Sequence, residues 1–203
     1  MTQQQREVRV LKGLRVETRA EGKAPVIVGY AAVFDTETMI GGFFREKIAR
    51  GAFAEALPKS DVHALFNHDE SVVLGRAKAG TLRLEEDEKG LKVEIDPPDT
   101  QDARDIMESM KRGDIDQMSF AWTMRGGKES WDDSVDPPLR TVEKVGELYD
   151  VSVVTRGAYP QTEVAVRTLE AHREEVRKQK NFQAAAFRIR RQKNLDLKVR
   201  RAV

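Results

Sequence analysis

The chain has 203 residues and a net charge of +1, and 39% of its residues are hydrophobic while 34% are charged. That length suits one domain of about 150 residues with tails, and the apolar content is too high for a wholly disordered chain. No apolar run approaches the roughly 18 residues of a membrane span, and the N-terminus lacks the apolar stretch of a signal peptide. Cysteine is absent, which excludes disulfides, thiolate metal sites and a cysteine nucleophile and favours a cytoplasmic protein.

Charge is distributed unevenly along the chain. Residues 170–203 carry 11 Lys and Arg against 4 Asp and Glu, a net charge of +7, which leaves −6 on residues 1–169. All seven prolines lie at or before Pro160, so a helix can extend through the C-terminal segment. The sequence therefore predicts a body at residues 1–167 and a basic tail at residues 168–203 that is helical or disordered.

Strand signals recur throughout the predicted body. Runs of β-branched or alternating residues occupy 8–16, 26–34, 62–68, 117–124, 140–145 and 148–154. Residues 82–84 and 91–95 alternate cleanly and predict a hairpin, with Gly90 available for a positive φ. Together these runs predict a mainly β, α+β fold of about six to seven strands, closed or strongly curled into a barrel with helices outside.

Two helices are predicted between the strands. A short one at about Gly51–Leu57 would end at Pro58. In the second, Thr100 is a suitable N-cap, and the helix ends before a C-terminal glycine. Its apolar residues follow the i, i+3, i+4, i+7 spacing of one helix face: Ala103, Ile106, Met107 and Met110.

The chain contains three histidines, His63, His68 and His172. His172 belongs to the charged tail. His63 and His68 lie five residues apart on one predicted strand, so their side chains are expected on opposite faces and do not readily share a metal ion. His68 stands where the apolar strand gives way to polar residues, a common place for catalytic groups. An ordinary core or surface histidine remains the alternative.

Ser119 lies in the predicted strand 117–124. Alternation places Met118, Phe120 and Trp122 on one face, which is typical of a core, and Ser119 on a small, polar face that a substrate backbone could approach. A serine hydroxyl becomes a good nucleophile only when a base removes its proton. A serine on a half-exposed strand is the alternative, and the Gly-x-Ser-x-Gly elbow of α/β-hydrolases is absent.

Asp150 lies in the strand 148–154 beside apolar neighbours, and a carboxylate in such surroundings needs a partner. A histidine is one such partner, because a carboxylate can hold an imidazole in one tautomer and stabilise its protonated form. An edge-strand aspartate that faces water is the alternative. Glu147 would take the place of Asp150 if the register differs.

Two other kinds of site receive less support. Asp61, His63, His68 and Asp69 suggest a hydrolytic metal site, but alternation of strand faces argues against their convergence, so no metal and no cofactor is predicted. The basic tail could bind nucleic acid or an acidic protein surface. Phe182 and Phe187 are its only aromatic residues, so base stacking is poorly supported.

Several short motifs in a fixed order carry a resemblance to a known family over roughly residues 8–167. They are Gly29-Tyr-Ala-Ala-Val-Phe34, Glu46-Lys-Ile-Ala-Arg-Gly-Ala-Phe53, Leu65-Phe-Asn-His-Asp69, Gly113-Asp-Ile-Asp-Gln-Met-Ser-Phe120 and Asp150-Val-Ser-Val-Val154 with Ala158-Tyr-Pro160. Together they resemble the prohead proteases of HK97-type tailed phages, which are related in fold to the herpesvirus maturation proteases.

The resemblance implies a serine endopeptidase on a β-barrel surrounded by helices. His68 would be the general base, Ser119 the nucleophile and Asp150 the third member, while Arg156 falls at the place of an arginine that helps to stabilise the oxyanion. The implied substrates are the scaffold segment of the major capsid protein and the protease itself, inside the procapsid in the host cytoplasm. The alternative is a non-catalytic capsid assembly or scaffolding module.

Overall fold

A computed structural model describes residues 6–17, 25–156 and 161–201 of the chain. These ranges contain thirteen strands and two helices. No helix among them is long and apolar enough to cross a membrane. The predicted motif residues Ala158, Tyr159 and Pro160 lie outside the described ranges.

The first sheet has five strands. In chain order they are β1 (Glu7–Lys12), β6 (His63–Phe66), β7 (Asp69–Arg76), β10 (Gln117–Thr123) and β13 (Glu147–Val154). Their spatial order is β1-β10-β13-β6-β7, and all neighbours are antiparallel except β13 and β6, which run parallel. The last strand in the described ranges, β13, therefore lies at the centre of the sheet.

Two four-stranded sheets complete the body. The second has the order β11-β12-β5-β4 and comprises β4 (Thr38–Ile40), β5 (Phe44–Ile48), β11 (Lys128–Asp132) and β12 (Leu139–Lys144). The third has the order β2-β3-β9-β8 and comprises β2 (Arg15–Glu17), β3 (Val26–Val33), β8 (Leu82–Glu86) and β9 (Gly90–Ile95). The helices are α1 (Gln101–Lys111) and α2 (Gln161–Arg201).

The prediction of a closed or strongly curled barrel of six to seven strands is wrong. The described residues form three separate sheets, and β1 and β7 stay unjoined at opposite edges of the first one. One cause is Gly13, whose φ of 109° breaks the run 8–16 into two strands that enter different sheets. A barrel requires every edge to find a partner, and here breaks of this kind distribute the strands among more, smaller sheets.

The hairpin of β8 and β9 is confirmed, but the role of its glycine is different from the one predicted. Gly90 is the first residue of β9 and pairs with Val33 of β3. A Cβ atom there would lie 2.0 Å from the carbonyl oxygen of Ala32, so glycine is required by the close approach of two backbones.

The predicted helix after Thr100 is confirmed as α1. The Thr100 side chain accepts a hydrogen bond from the Ala103 amide, and Gly113 follows the helix with a φ of 82°. The buried residues of α1 are the four predicted ones, Ala103, Ile106, Met107 and Met110. The predicted short helix at 51–57 is wrong as a regular element, because that segment forms consecutive turns that bury Phe53 and Ala56.

The helix α2 starts against the second sheet and then leaves the body. Ala165 and Leu169 are buried against Ile40 and Phe44, and the His172 ring stacks on Trp131 at 4.4 Å between centroids. From residue 173 to 188, most described side chains are exposed, including Phe182 and Phe187. The helix is continuous across the predicted boundary at residue 167, which stays a prediction.

Candidate active site

His68 lies in a two-residue turn that joins β6 to β7. Phe66 pairs with Asp69, and the two residues between them, Asn67 and His68, have φ values of 51° and 60°. Two consecutive positive φ values are typical of a type I′ hairpin turn, and a histidine in this conformation is uncommon. The predicted strand 62–68 is therefore wrong at its last two residues, and strand alternation does not govern where the His68 ring points.

Asn67 holds this turn in place. Its amide donates to the carbonyl oxygen of Val153 at 2.9 Å, and its side-chain Oδ1 accepts from the Thr155 amide at 3.0 Å. Asparagine tolerates the left-handed conformation better than most residues. The turn is thus attached to the end of β13, and the His68 ring lies over the centre of the first sheet.

Ser119 lies at the middle of β10, opposite Val10 of β1 and Ser152 of β13. Met118, Phe120 and Trp122 belong to the core, as their alternation predicts. Ser119 is also almost fully buried, with 1% of its surface exposed, which differs from a half-exposed strand position. Its hydroxyl is within 3.0 Å of the Arg9 carbonyl oxygen and 2.8 Å of His68 Nε2.

His68 connects Ser119 to Asp150. Its Nε2 lies 2.8 Å from Ser119 Oγ, and its Nδ1 lies 2.6 Å from Asp150 Oδ1. Asp150 is 1% exposed and is therefore not a water-facing edge residue. Glu147 pairs with Thr123 at the other end of β13 and is exposed. Of the two predicted carboxylates, Asp150 is the one that contacts His68.

The ionisation of His68 suits the acceptance of a proton. Burial, together with the positive charge of Arg6, lowers the pKa of His68 to about 4. The imidazole is therefore neutral near pH 7. With a proton on Nδ1 donated to Asp150, the lone pair of Nε2 is directed to the Ser119 hydroxyl.

Asp150 has two neighbours that the sequence did not predict as site residues. Ser152 Oγ donates to Asp150 Oδ1 at 2.7 Å and lies 3.3 Å from His68 Nδ1. Arg6 Nη2 forms an ion pair with Asp150 Oδ2. Ser152 could have been found from its i+2 spacing to Asp150 on one strand face, whereas Arg6 is distant in sequence and carried no local signal.

A buried ionic cluster holds β1 beside Ser119. Arg140 donates to both oxygens of Glu7, at 2.6 and 2.8 Å, and to Glu46 at 2.8 Å. Arg9 donates to both oxygens of Glu46, at 2.6 and 2.7 Å. Burial alone would raise the pKa of Glu7, but the hydrogen bonds and charges of Arg140 and Arg9 lower it. The cluster keeps the Glu7 carboxylate ionised and joins the first sheet to the second.

The remaining predicted site residues lie apart from the triad. Arg156 is exposed, two residues beyond β13, and no hydrogen bond or ion pair joins it to Ser119, His68 or Asp150 in the described residues. Two of the residues considered for a metal site have other partners. Asp61 forms an ion pair with Arg76, and the Asp69 carboxylate accepts a hydrogen bond from the Ser71 amide. No group of three metal-ligating side chains occurs within ranges 6–17, 25–156 and 161–201.

An open pocket of about 330 Å³ lies beside Asp150 on the first sheet. Its lining comes from β6, β7 and β13 and consists of His63, Leu65, Glu70, Val73, Tyr149 and Asp150. The triad thus lies next to a cavity that is open to solvent, although Ser119 itself is covered.

Comparison with known proteins identifies a family. Residues 12–178 match the family model described as caudovirus prohead serine protease. No curated protein and no solved structure matches the chain. The matched range contains Ser119, His68 and Asp150 but not Arg6.

Proposed function

Because the chain belongs to the caudovirus prohead serine protease family and is a serine protease, we propose that it cleaves the scaffold segment of the major capsid protein, and itself, as the procapsid matures. The proposed nucleophile is Ser119, the general base His68 and the orienting carboxylate Asp150. The observation that carries these roles is the chain of contacts from Ser119 Oγ through the His68 ring to Asp150 Oδ1, 2.8 and 2.6 Å long.

The proposed reaction follows from these contacts. His68 Nε2 takes the hydroxyl proton while Ser119 Oγ attacks the scissile carbonyl, and Asp150 stabilises the imidazolium that results. His68 then gives this proton to the leaving amine as the C–N bond breaks. A water molecule repeats the sequence on the acyl-enzyme and releases the second product and the free serine.

In this proposal, backbone N–H groups and Arg156 stabilise the oxyanion that forms when Ser119 attacks the carbonyl. Arg156 directly follows Thr155, whose amide is bonded to Asn67 in the turn that carries His68. An exposed arginine in this place can turn toward a bound carbonyl without breaking a hydrogen bond or ion pair to the parts of the chain that the structure describes. One such donor contributes about 2.7–4 kcal/mol to lowering the barrier.

The place of action in this proposal is the interior of the procapsid in the host cytoplasm. The basic helix α2 would act there as a tether to the shell or scaffold, because its outer part exposes cationic side chains together with Phe182 and Phe187. Packing of enzyme and substrate into one shell gives a high effective concentration, so a low intrinsic activity suffices.

Co-expression with the major capsid protein tests this function. Wild type should process the capsid protein, and Ser119→Ala should leave it uncut while keeping the fold. Ser130→Ala, which removes an exposed serine of β11, is the matched control and should process normally. If Ser119→Ala supports both processing and normal particles, the chain acts as a non-catalytic assembly module and the proposed roles are wrong.

A further inference from the structure

The guanidinium of Arg6 contacts Asp150, the buried carboxylate of the proposed triad. Asp150 Oδ1 accepts hydrogen bonds from His68 and Ser152, and Asp150 Oδ2 forms an ion pair with Arg6. The Asp150 side chain is only 2% exposed, and that of Arg6 is 38% exposed. A buried carboxylate requires partners for both oxygens, and Arg6 supplies the second partner from the edge of the solvent.

The position of Arg6 is determined by more than this ion pair. Its guanidinium lies over the ring of Tyr149, 5.7 Å from the centroid. Arg6 immediately precedes β1, whose Glu7 pairs with Trp122 of β10 and is anchored by Arg140. The backbone of β1 therefore presents Arg6 to Asp150 from the same strand that borders Ser119.

We propose that Arg6 is a positioning residue of the proteolytic site, which holds Asp150 by the carboxylate oxygen that His68 does not contact and sets how readily His68 takes the proton of Ser119. This inference rests on the proposed function. Arg6 lies outside residues 12–178, so the family match carries no information about it.

The direction of the effect follows from charge. A guanidinium beside Asp150 offsets part of the negative charge that would favour protonation of the imidazole, so Arg6 makes His68 a weaker base that stays neutral at lower pH. Among the described residues, the titratable groups that line the pocket beside Asp150 are His63 on β6, Glu70 on β7, and Tyr149 and Asp150 on β13. In the part of the chain that the structure describes, Arg6 is the permanent cation that contacts Asp150.

The test compares Arg6→Gln with Arg6→Lys in the full-length chain. The rate at which a fluorophosphonate labels Ser119 is measured from pH 4 to pH 8, since this probe reacts with a serine that a histidine activates. Arg6→Gln should move the acid limb of the profile upward by about one pH unit, and Arg6→Lys should leave it near the wild-type position. A purely structural role would lower labelling at every pH without moving the limb.

Lys12→Gln is the matched control, because it removes one exposed positive charge from the same strand without touching the triad. The acid limb of its pH profile of labelling should coincide with that of the wild type. The proposal is overturned if the acid limb of Arg6→Gln stays at the wild-type pH. It is also overturned if Lys12→Gln shifts the acid limb as far as Arg6→Gln does.

A second measurement does not depend on catalysis. With only three histidines in the chain, NMR titration of the imidazole nitrogens follows His68 directly, assigned by its loss in His68→Asn. The His68 midpoint should rise in Arg6→Gln, and equal midpoints would refute the inference. If Ser119→Ala remains active while the midpoint still rises, the proposed function fails but the electrostatic role of Arg6 stands.

Discussion

Ser119 and Ser152 lie directly opposite each other on the adjacent strands β10 and β13, and the ring of His68 contacts both hydroxyls. His68 Nε2 is 2.8 Å from Ser119 Oγ, and Nδ1 is 3.3 Å from Ser152 Oγ. The register of these two central strands thus places one hydroxyl at each nitrogen of the ring. The rigidity of the sheet therefore sets the geometry of the site.

Activity should extend to unusually low pH. As the proposed base, His68 must be neutral to accept the Ser119 proton, and burial and the positive charge of Arg6 lower its pKa to about 4. As pH falls through 6.5, kcat/KM should therefore change little, and it should decline only as pH approaches 4. The measurement is peptide hydrolysis from pH 4 to pH 8, with circular dichroism at each pH to verify the fold. If kcat/KM instead declines with a midpoint at or above pH 6.5, the His68 imidazole is not held neutral by its burial.

Ser152→Ala should slow hydrolysis by about tenfold while leaving the protein folded. The Ser152 hydroxyl donates to Asp150 Oδ1 at 2.7 Å, so its loss frees one buried acceptor and loosens the carboxylate that orients His68. Steady-state kinetics should show the loss in kcat with KM unchanged. Wild-type kcat would mean that His68 and Arg6 hold Asp150 in place without the Ser152 hydroxyl.

Arg140→Met should destabilise the fold by about 3–5 kcal/mol, because Glu7 and Glu46 would remain as buried carboxylates without this partner. Chemical denaturation at neutral pH measures the loss. Arg125→Met, a change at an exposed arginine, is the control and should alter stability by less than about 0.5 kcal/mol. Equal stability of the two variants would show that the cluster does not support the body.

Arg156→Ala should lower kcat by about 10²–10³-fold if its guanidinium reaches the oxyanion. Because the side chain is exposed and outside the core, the melting temperature should stay at the wild-type value. Arg156→Lys retains the charge and should recover part of the rate. Unchanged kcat in Arg156→Ala would leave backbone N–H groups as the donors.

The tail should be absent from mature particles. Self-cleavage that removes the basic segment would release the enzyme from its tether, so mass spectrometry should find chains that end upstream of about residue 170. Particles assembled with Ser119→Ala should contain the full-length chain. Full-length wild-type chains in mature particles would argue against removal of the tail.

Local patterns in the sequence predicted some elements well. The helix α1 follows from its Thr100 cap and 3.6-residue period, and the core face of β10 follows from the alternation of Met118, Phe120 and Trp122. The family resemblance, confirmed by the matched model, singled out the three residues that the structure brings into contact. These features depend on spacing within a few residues or on a motif.

What the sequence did not reveal depends on contacts between distant residues. Glu7 and Arg140 are 133 positions apart, and Arg6 and Asp150 are 144 apart, so neither pair has a local pattern. The turn at Asn67 and His68 lacks the glycine that marks most type I′ turns. The distribution of strands among three sheets likewise depends on which edges pair, and the glycine break at Gly13 alone does not specify it.

The place of β13 in the first sheet has a consequence for timing during translation. This strand is the last that the structure describes, yet it lies between β10, which carries Ser119, and β6, which precedes His68. A nascent chain that has not reached Val154 has no surface on which hydroxyl, imidazole and carboxylate can meet. The contacts of the proposed triad therefore cannot form until the ribosome has synthesised the chain through β13, and shorter nascent copies lack them.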